Sequence, residues 1–395
     1  MAQVIEDPGL DTEPQVEEQR TTPLELFFDL VFVFAITQVT GFITHDPSWL
    51  RLVEGLAIMA TLWFVWVSYA WLENRAASDE GPIRVVMLAA MGAMLIVSLA
   101  VPGAFGDDGL AFGLAYLVVR ILHLTAYTYI SRDDPELRGV VVRLASTMLP
   151  AALLLVLAGA LDGTARGLCW AAALAIDWGG LALRGVEGWS VRPGHFAERH
   201  GLIIIIALGE SIVAVGVGVS GLGLTAAAAV TVLLGGAVAA AMWWVYFDFV
   251  SMVGEHLFRT ADPRQQVRIA RDSYTYLHFP MVAGIVLFAV GVKVTISHSL
   301  AHHTDSLEAV VATALTGGVA MYLIALSAFR RRNVGRWNRP RLIAAAATLS
   351  LTPLATATPA WLALATVTAV VWTLIAYETI RFAEFRDRAR HGGLT

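Results

Sequence analysis

Apolar runs of about 20 residues recur along the entire chain, separated by short polar segments. Each is long enough to cross a hydrocarbon core of roughly 30 Å as a helix. The pattern predicts twelve spans, at 24–43, 50–72, 83–102, 110–130, 140–161, 167–187, 200–220, 229–251, 275–297, 307–329, 341–357 and 360–382. They are apolar nearly all round, as suits helices that meet lipid on one side and a bundle on the other. None alternates as a strand would. The predicted fold class is all-α, a polytopic transmembrane helix bundle. The last two spans are the least clearly separated, because two prolines and small residues fill Thr352–Pro359.

Composition agrees. Of 395 residues, 57% are hydrophobic and 15% charged, with a mean hydropathy of +0.66, whereas soluble domains run near ~45–50% apolar and ~25% charged. That gap excludes a water-soluble core. A net charge of −5 with no basic soluble domain excludes a nucleic-acid partner. The single cysteine, Cys169, permits no intramolecular disulfide and no thiolate metal cluster.

Sidedness follows from the basic residues. With the N-terminus inside, only Arg51 and Arg166 fall in the opposite loops, and Arg120 and Lys293 lie within spans, leaving 23 of the 27 basic residues cytoplasmic. Both termini are then cytoplasmic, which requires an even number of crossings. The strongest such segment is the Arg-rich loop at Arg330–Arg341. Residues 1–22 are acidic and lack a positive leader region, so they read as a disordered tail. An internal repeat also emerges. LVFVFAITQ at Leu30–Gln38 aligns with LIIIIALGE at Leu202–Glu210, LWFVWVS at Leu62–Ser68 with MWWVYFD at Met242–Asp248, and Met91–Leu95 with Met281–Ile285. Their shared order predicts a first six-helix repeat over 23–190 and a second over 191–385, followed by a tail at 386–395. Six crossings per half make the repeats parallel, about an axis along the membrane normal.

Two blocks carry a family resemblance: ELFFDLVFVFAITQ in the first span, and ERHGLIIIIALGESIVAVG at Glu198–Gly216. With these, the chain resembles the bacterial low temperature requirement A family of multi-pass membrane proteins from about residue 20 to 385. The resemblance implies an integral protein of the bacterial cell membrane, tied by its family name to growth in the cold. As an analogy only, FFD at Phe27–Asp29 resembles the FSD motif of lysosomal and prokaryotic potassium channels. The second half departs from it, with Gly201 opposite Asp29.

The candidate chemistry lies in ionisable residues inside the spans, where a charge costs at least ~2.5–3.5 kcal/mol and is retained for pairing or function. Glu25, Asp29, Asp248 and His278 fall near the cytoplasmic face; Arg120, His123, Asp177 and Glu210 fall near the midplane. Glu210, among Gly209, Gly216 and Gly218, aligns with Gln38 of the first repeat. An acid facing an amide there could ligate a cation or carry a proton. Asp29 reads as an inner gate or ion-entry carboxylate, with Asp248 a second member of its layer. Glu25 reads as a complement to the helix N-terminus. Arg120 is a permanent counter-ion, and His123, three residues on, could relay protons. The opposing reading is a fixed ion pair of Arg120 with Glu210 or Asp177.

Two histidine groupings, His298, His302 and His303 with Asp305, and His195, Glu198 and His200, lack metalloprotease order and read as loop or helix-entry residues. No cofactor fingerprint occurs in a suitable context. The implied partners are the lipid bilayer and a small ion or solute. The reading that best uses the midplane acids is a cation- or proton-linked transporter or ion pathway. A membrane-embedded lipid enzyme is the alternative, but no nucleophile with a recognisable neighbour and no large loop supports it. A non-transporting scaffold gives no reason for the midplane acids.

Overall fold

The structure, a computed structural model, describes residues 21–75, 81–183, 187–219, 225–301, 305–381 and 383. Residues 1–20, the C-terminal tail, and His302 and His303 lie outside these. Among the described residues every regular element is helical. The first half comprises α1 (Pro23–His45), α2 (Trp49–Glu73), α3 (Gly81–Ala100), α4 (Gly109–Ile130), α5 (Pro135–Gly159) and α6 (Gly163–Leu183). The second comprises α7 (Pro193–Val219), α8 (Ala226–Phe247), the short α9 (Val250–Thr260), α10 (Pro263–Ile269), a π turn (Ala270–Tyr276) and α11 (Leu277–Ala301). It ends with α12 (Ala309–Val334), α13 (Arg339–Ser350), α14 (Thr352–Ala357) and α15 (Ala360–Arg381).

Local chemistry sets several boundaries. Thr22 and Glu25 form a reciprocal capping box ahead of α1, with Pro23 in its first turn. Asp134 caps α5 and Asn338 caps α13 by accepting from backbone N–H groups. Gly335, at φ +78°, closes α12 in the left-handed conformation that glycine adopts without strain.

Ten helical stretches are long and apolar enough to cross a membrane. Two of the twelve predicted spans are not among them. The sixth, α6, carries Arg166, Asp177 and several glycines, which lower its apolar content. The eleventh is broken into α13 and α14 around Leu351, next to Pro353, whose ring and missing N–H interrupt the ladder.

Both segments nevertheless run between the two ends of the bundle. α5 finishes where Gly159 lies backbone to backbone with Gly109 at the start of α4. α7 begins at the other end, where Asn74 at the foot of α2 meets Arg192 and His195. α6 joins those two ends. Likewise α13 starts beside the foot of α15, through Arg341 and Glu378, and α14 finishes beside the start of α12, where Leu307 N–H donates to the Ala355 carbonyl at 3.2 Å.

Neighbour relations recur between the halves. α1 packs on α2 and α3, α3 on α4, α4 on α5, and α5 on α6; correspondingly α7 packs on α8 and α11, α11 on α12, α12 on α13, and α13 on α15. α2 also meets α4 and α6, as α8 meets α12 and α15. The halves join mainly through α1, α7 and α11. Where α11 crosses α12, a Cβ on Gly284 would stand 2.6 Å from the Gly318 carbonyl oxygen, so only glycine permits the approach.

Candidate functional site

The first turns of α7 bring Arg199 and His195 against the start of α1 and the foot of α2. Arg199 is wholly buried. One of its terminal nitrogens donates to Asp29 Oδ1 at 2.8 Å; the other pairs closely with Glu73 Oε2 and lies 3.6 Å from Glu25 Oε2. The Trp66 indole donates to the same Asp29 oxygen at 2.9 Å. Glu25 is engaged beyond its capping role, with His195 Nε2 3.0 Å from Oε2. Asn74 fixes the tautomer of that histidine. Its Oδ1 accepts from Arg192 N–H at 2.6 Å, so its Nδ2 is the atom facing His195 Nδ1 at 3.3 Å, and the ring hydrogen sits on Nε2. Asp29, read from the sequence as a gate, is therefore held by a permanent cation and an indole.

A second cluster joins α2, α4 and α6. Arg120 donates to Asp177 Oδ2 at 2.7 Å and to Ser68 Oγ at 3.0 Å, and its guanidinium lies over the rings of Phe64 and Tyr116. The Tyr116 hydroxyl donates to Asp177 at 3.0 Å. This is the Arg120–Asp177 pair that the sequence left open against Arg120–Glu210. His123 Nε2 lies 3.0 Å from the Ser68 carbonyl, which can only accept, so Nε2 carries the hydrogen. A cavity of about 60 Å³ adjoins this cluster, lined by His123, Tyr127, Asp177, Arg143 and apolar side chains. Asp248, the C-cap of α8, stands apart from the Arg199 cluster. With Trp244, Arg330, Asn333, Arg341 and Glu378 it lines a cavity of about 320 Å³ among α8, α9, α12, α13 and α15.

Glu210 differs from both clusters. It is buried, and its Oε2 lies 2.6 Å from the Thr37 hydroxyl, with Thr40 beside the same carboxyl. Thr37, one residue before the half-buried Gln38, is what α1 presents to it. Of the glycines near Glu210, only Gly218 receives a close neighbour, Ile296 and the Lys293 carbonyl of α11; Gly209 and Gly216 face open space. Farther along α1, Gly41 and Thr44 line an open cavity of about 520 Å³ together with Lys293, Ser297 and Glu308. Lys293 Nζ donates to Thr44 at 3.1 Å within it.

Sequence reasoning missed Glu73 and Arg199 as site residues. Glu73 closes α2, where an acid reads as interfacial, and Arg199 falls among the cytoplasmic basic residues that set sidedness. The signal available was the ERH triplet inside the second family block. The profile described as Bacterial low temperature requirement A protein (LtrA) matches residues 20–376, a region that contains all of these clusters. This chain belongs to that family. Its apolar helices and its membership make it a multi-pass LtrA-family membrane protein. It is 28% identical over 285 residues to Uncharacterized protein RA0937 of Rhizobium meliloti (strain 1021), a match covering 69% of each chain. No solved structure matches it.

Proposed function

We propose that this LtrA-family protein is a proton- or cation-linked transporter in the bacterial plasma membrane, with Glu210 as the group that takes up and releases the ion. The observation that carries the reading is the contact with Thr37. Its hydroxyl lies 2.6 Å from Glu210 and 3.1 Å from the Val33 carbonyl, and has one hydrogen to give. An ionised Glu210 accepts that hydrogen. A protonated Glu210 donates to Thr37 instead, and Thr37 then donates to Val33. Both states of the carboxyl are satisfied, as a group that loads and unloads requires. Asp29 and Asp177, each facing a guanidinium, serve to hold helices in place, with Arg120 and His123 in the same supporting role.

The surroundings support this reading. Glu210 sits where α1, α7 and α11 join the two halves, the position that a site between parallel repeats takes. The recurring neighbour relations are those of a six-plus-six duplication. The aligned Phe64 and Trp244, and the aligned Ser68 and Asp248, each line the corresponding cavity of their half. End-to-end passage of α6 and of α13–α14 favours twelve crossings with both termini cytoplasmic. α13–α14 is 19 residues long, ~28 Å at 1.5 Å per residue.

The test is flux into proteoliposomes across a panel of cations and organic solutes, with and without a pH gradient. Wild type should move at least one of them, and Glu210→Gln should abolish that movement while remaining folded. Full flux through Glu210→Gln would refute the assignment. Conversion of a labelled lipid with no flux would favour the enzyme alternative.

A further inference from the structure

The Arg199 cluster is overloaded with acid. Glu25, Asp29 and Glu73 converge on a single buried guanidinium. Among the described residues, a second cation at the cluster is Arg192, half-buried, whose guanidinium donates to the backbone carbonyls of Glu73 and Asn74 at 3.1 and 2.6 Å. Arg75 turns away to Ser190 and Asp134. His195 meets Glu25 through Nε2 and Asn74 through Nδ1, and makes no contact with Asp29 or Glu73 that would offset their charge. Tyr69 donates to the Val119 carbonyl, and His200 faces Trp66 and His278 rather than the acids. Even with Arg192 counted, three carboxylates face two guanidiniums among the described residues, and a buried site does not keep an unmatched charge when a proton can remove it.

The three acids are not served equally. Glu25 accepts from Thr22 N–H and His195 and lies near Arg199. Asp29 accepts from Trp66 and Arg199, two donors on Oδ1, while its Oδ2 is buried without a partner. Glu73 accepts from Arg199 alone, at Oε2; its Oε1 is fully buried and accepts no hydrogen bond. Glu73 is therefore the least stabilised as an anion.

We infer that Glu73 is a proton-binding site, carrying a proton at neutral pH on the oxygen turned away from Arg199, with Asp29 and Glu25 ionised beside it. The ligand is a proton. This site is separate from Glu210, eleven residues farther along α7 from Arg199, and does not depend on the transport reading.

The experiment is infrared difference spectroscopy of the full-length purified protein in H2O and D2O. At neutral pH the wild type should display a protonated-carboxyl C=O stretch, shifted in D2O, that disappears in Glu73→Gln and persists in Asp29→Asn and Glu210→Gln. Because glutamine replaces a neutral acid with a neutral isostere, Glu73→Gln should also keep the wild-type melting midpoint. The inference is overturned if wild type and Glu73→Gln have the same carboxyl region. It is overturned as well if the band vanishes in Asp29→Asn but not in Glu73→Gln. A large drop in melting midpoint in Glu73→Gln would refute it too, since that marks Glu73 as an ionised partner of Arg199.

Discussion

At the scale of single residues, the acids inside this bundle divide by what answers them. Asp29 and Asp177 each face a guanidinium, while Glu210 faces hydroxyls. Removing one member of a buried ion cluster strands the others in low dielectric, a loss of ~3–5 kcal/mol. Arg199→Gln leaves Glu25, Asp29 and Glu73 without their common cation, so its thermal unfolding in detergent should begin far below that of wild type. An unchanged midpoint would mean that the cluster contributes nothing to folding. Asp29 and Glu210 were legible from the sequence as costly charges in apolar runs. Their different surroundings were not, because an aspartate and a glutamate in similar runs of Phe, Val and Ile carry no mark of the partner that will face them.

At the scale of elements, the π turn at Ala270–Tyr276 explains a buried tryptophan. In π register the Thr275 carbonyl looks to residue 280, which is a proline without an N–H. The Trp63 indole of α2 supplies the missing donor at 2.9 Å, and Trp71 reaches the Thr275 hydroxyl at 3.1 Å. Trp63→Phe keeps the ring and orphans that carbonyl, an expected cost of ~1–3 kcal/mol, measurable as a lowered midpoint of thermal unfolding. The effect should be absent in Trp361→Phe, on a partly exposed face. Periodicity located this helix well, yet could not display the register change inside it, since the π turn depends on a donor brought from another element. The break between α13 and α14 at Leu351 falls inside the predicted eleventh span, just ahead of the prolines and small residues of Thr352–Pro359 that the sequence places between the last two spans.

At the scale of the whole molecule, the parallel neighbour relations of the two halves carry a prediction about sidedness. An even number of crossings puts both termini on one face of the membrane. In a Cys169→Ser background, single cysteines at Gly392 and at Pro47 should label from opposite sides with a membrane-impermeant maleimide in oriented vesicles. The first should react only from the cytoplasmic side. Labelling of both from one side would break the proposed twelve-crossing topology and, with it, the proposed duplication.

The amino-acid sequence by itself determined that this is a multi-pass helical membrane protein of the low temperature requirement A family. Hydrophobic length is a one-dimensional property, and the two signature blocks are contiguous runs. It also determined which residues are expensive to bury. Only the tertiary structure decided which expense is met by what. Glu73, Asp29 and Arg199 lie on three different helices, and the turn of each helix about its own axis selects whether an acid receives a guanidinium, a hydroxyl, or, for one oxygen each of Glu73 and Asp29, no donor at all.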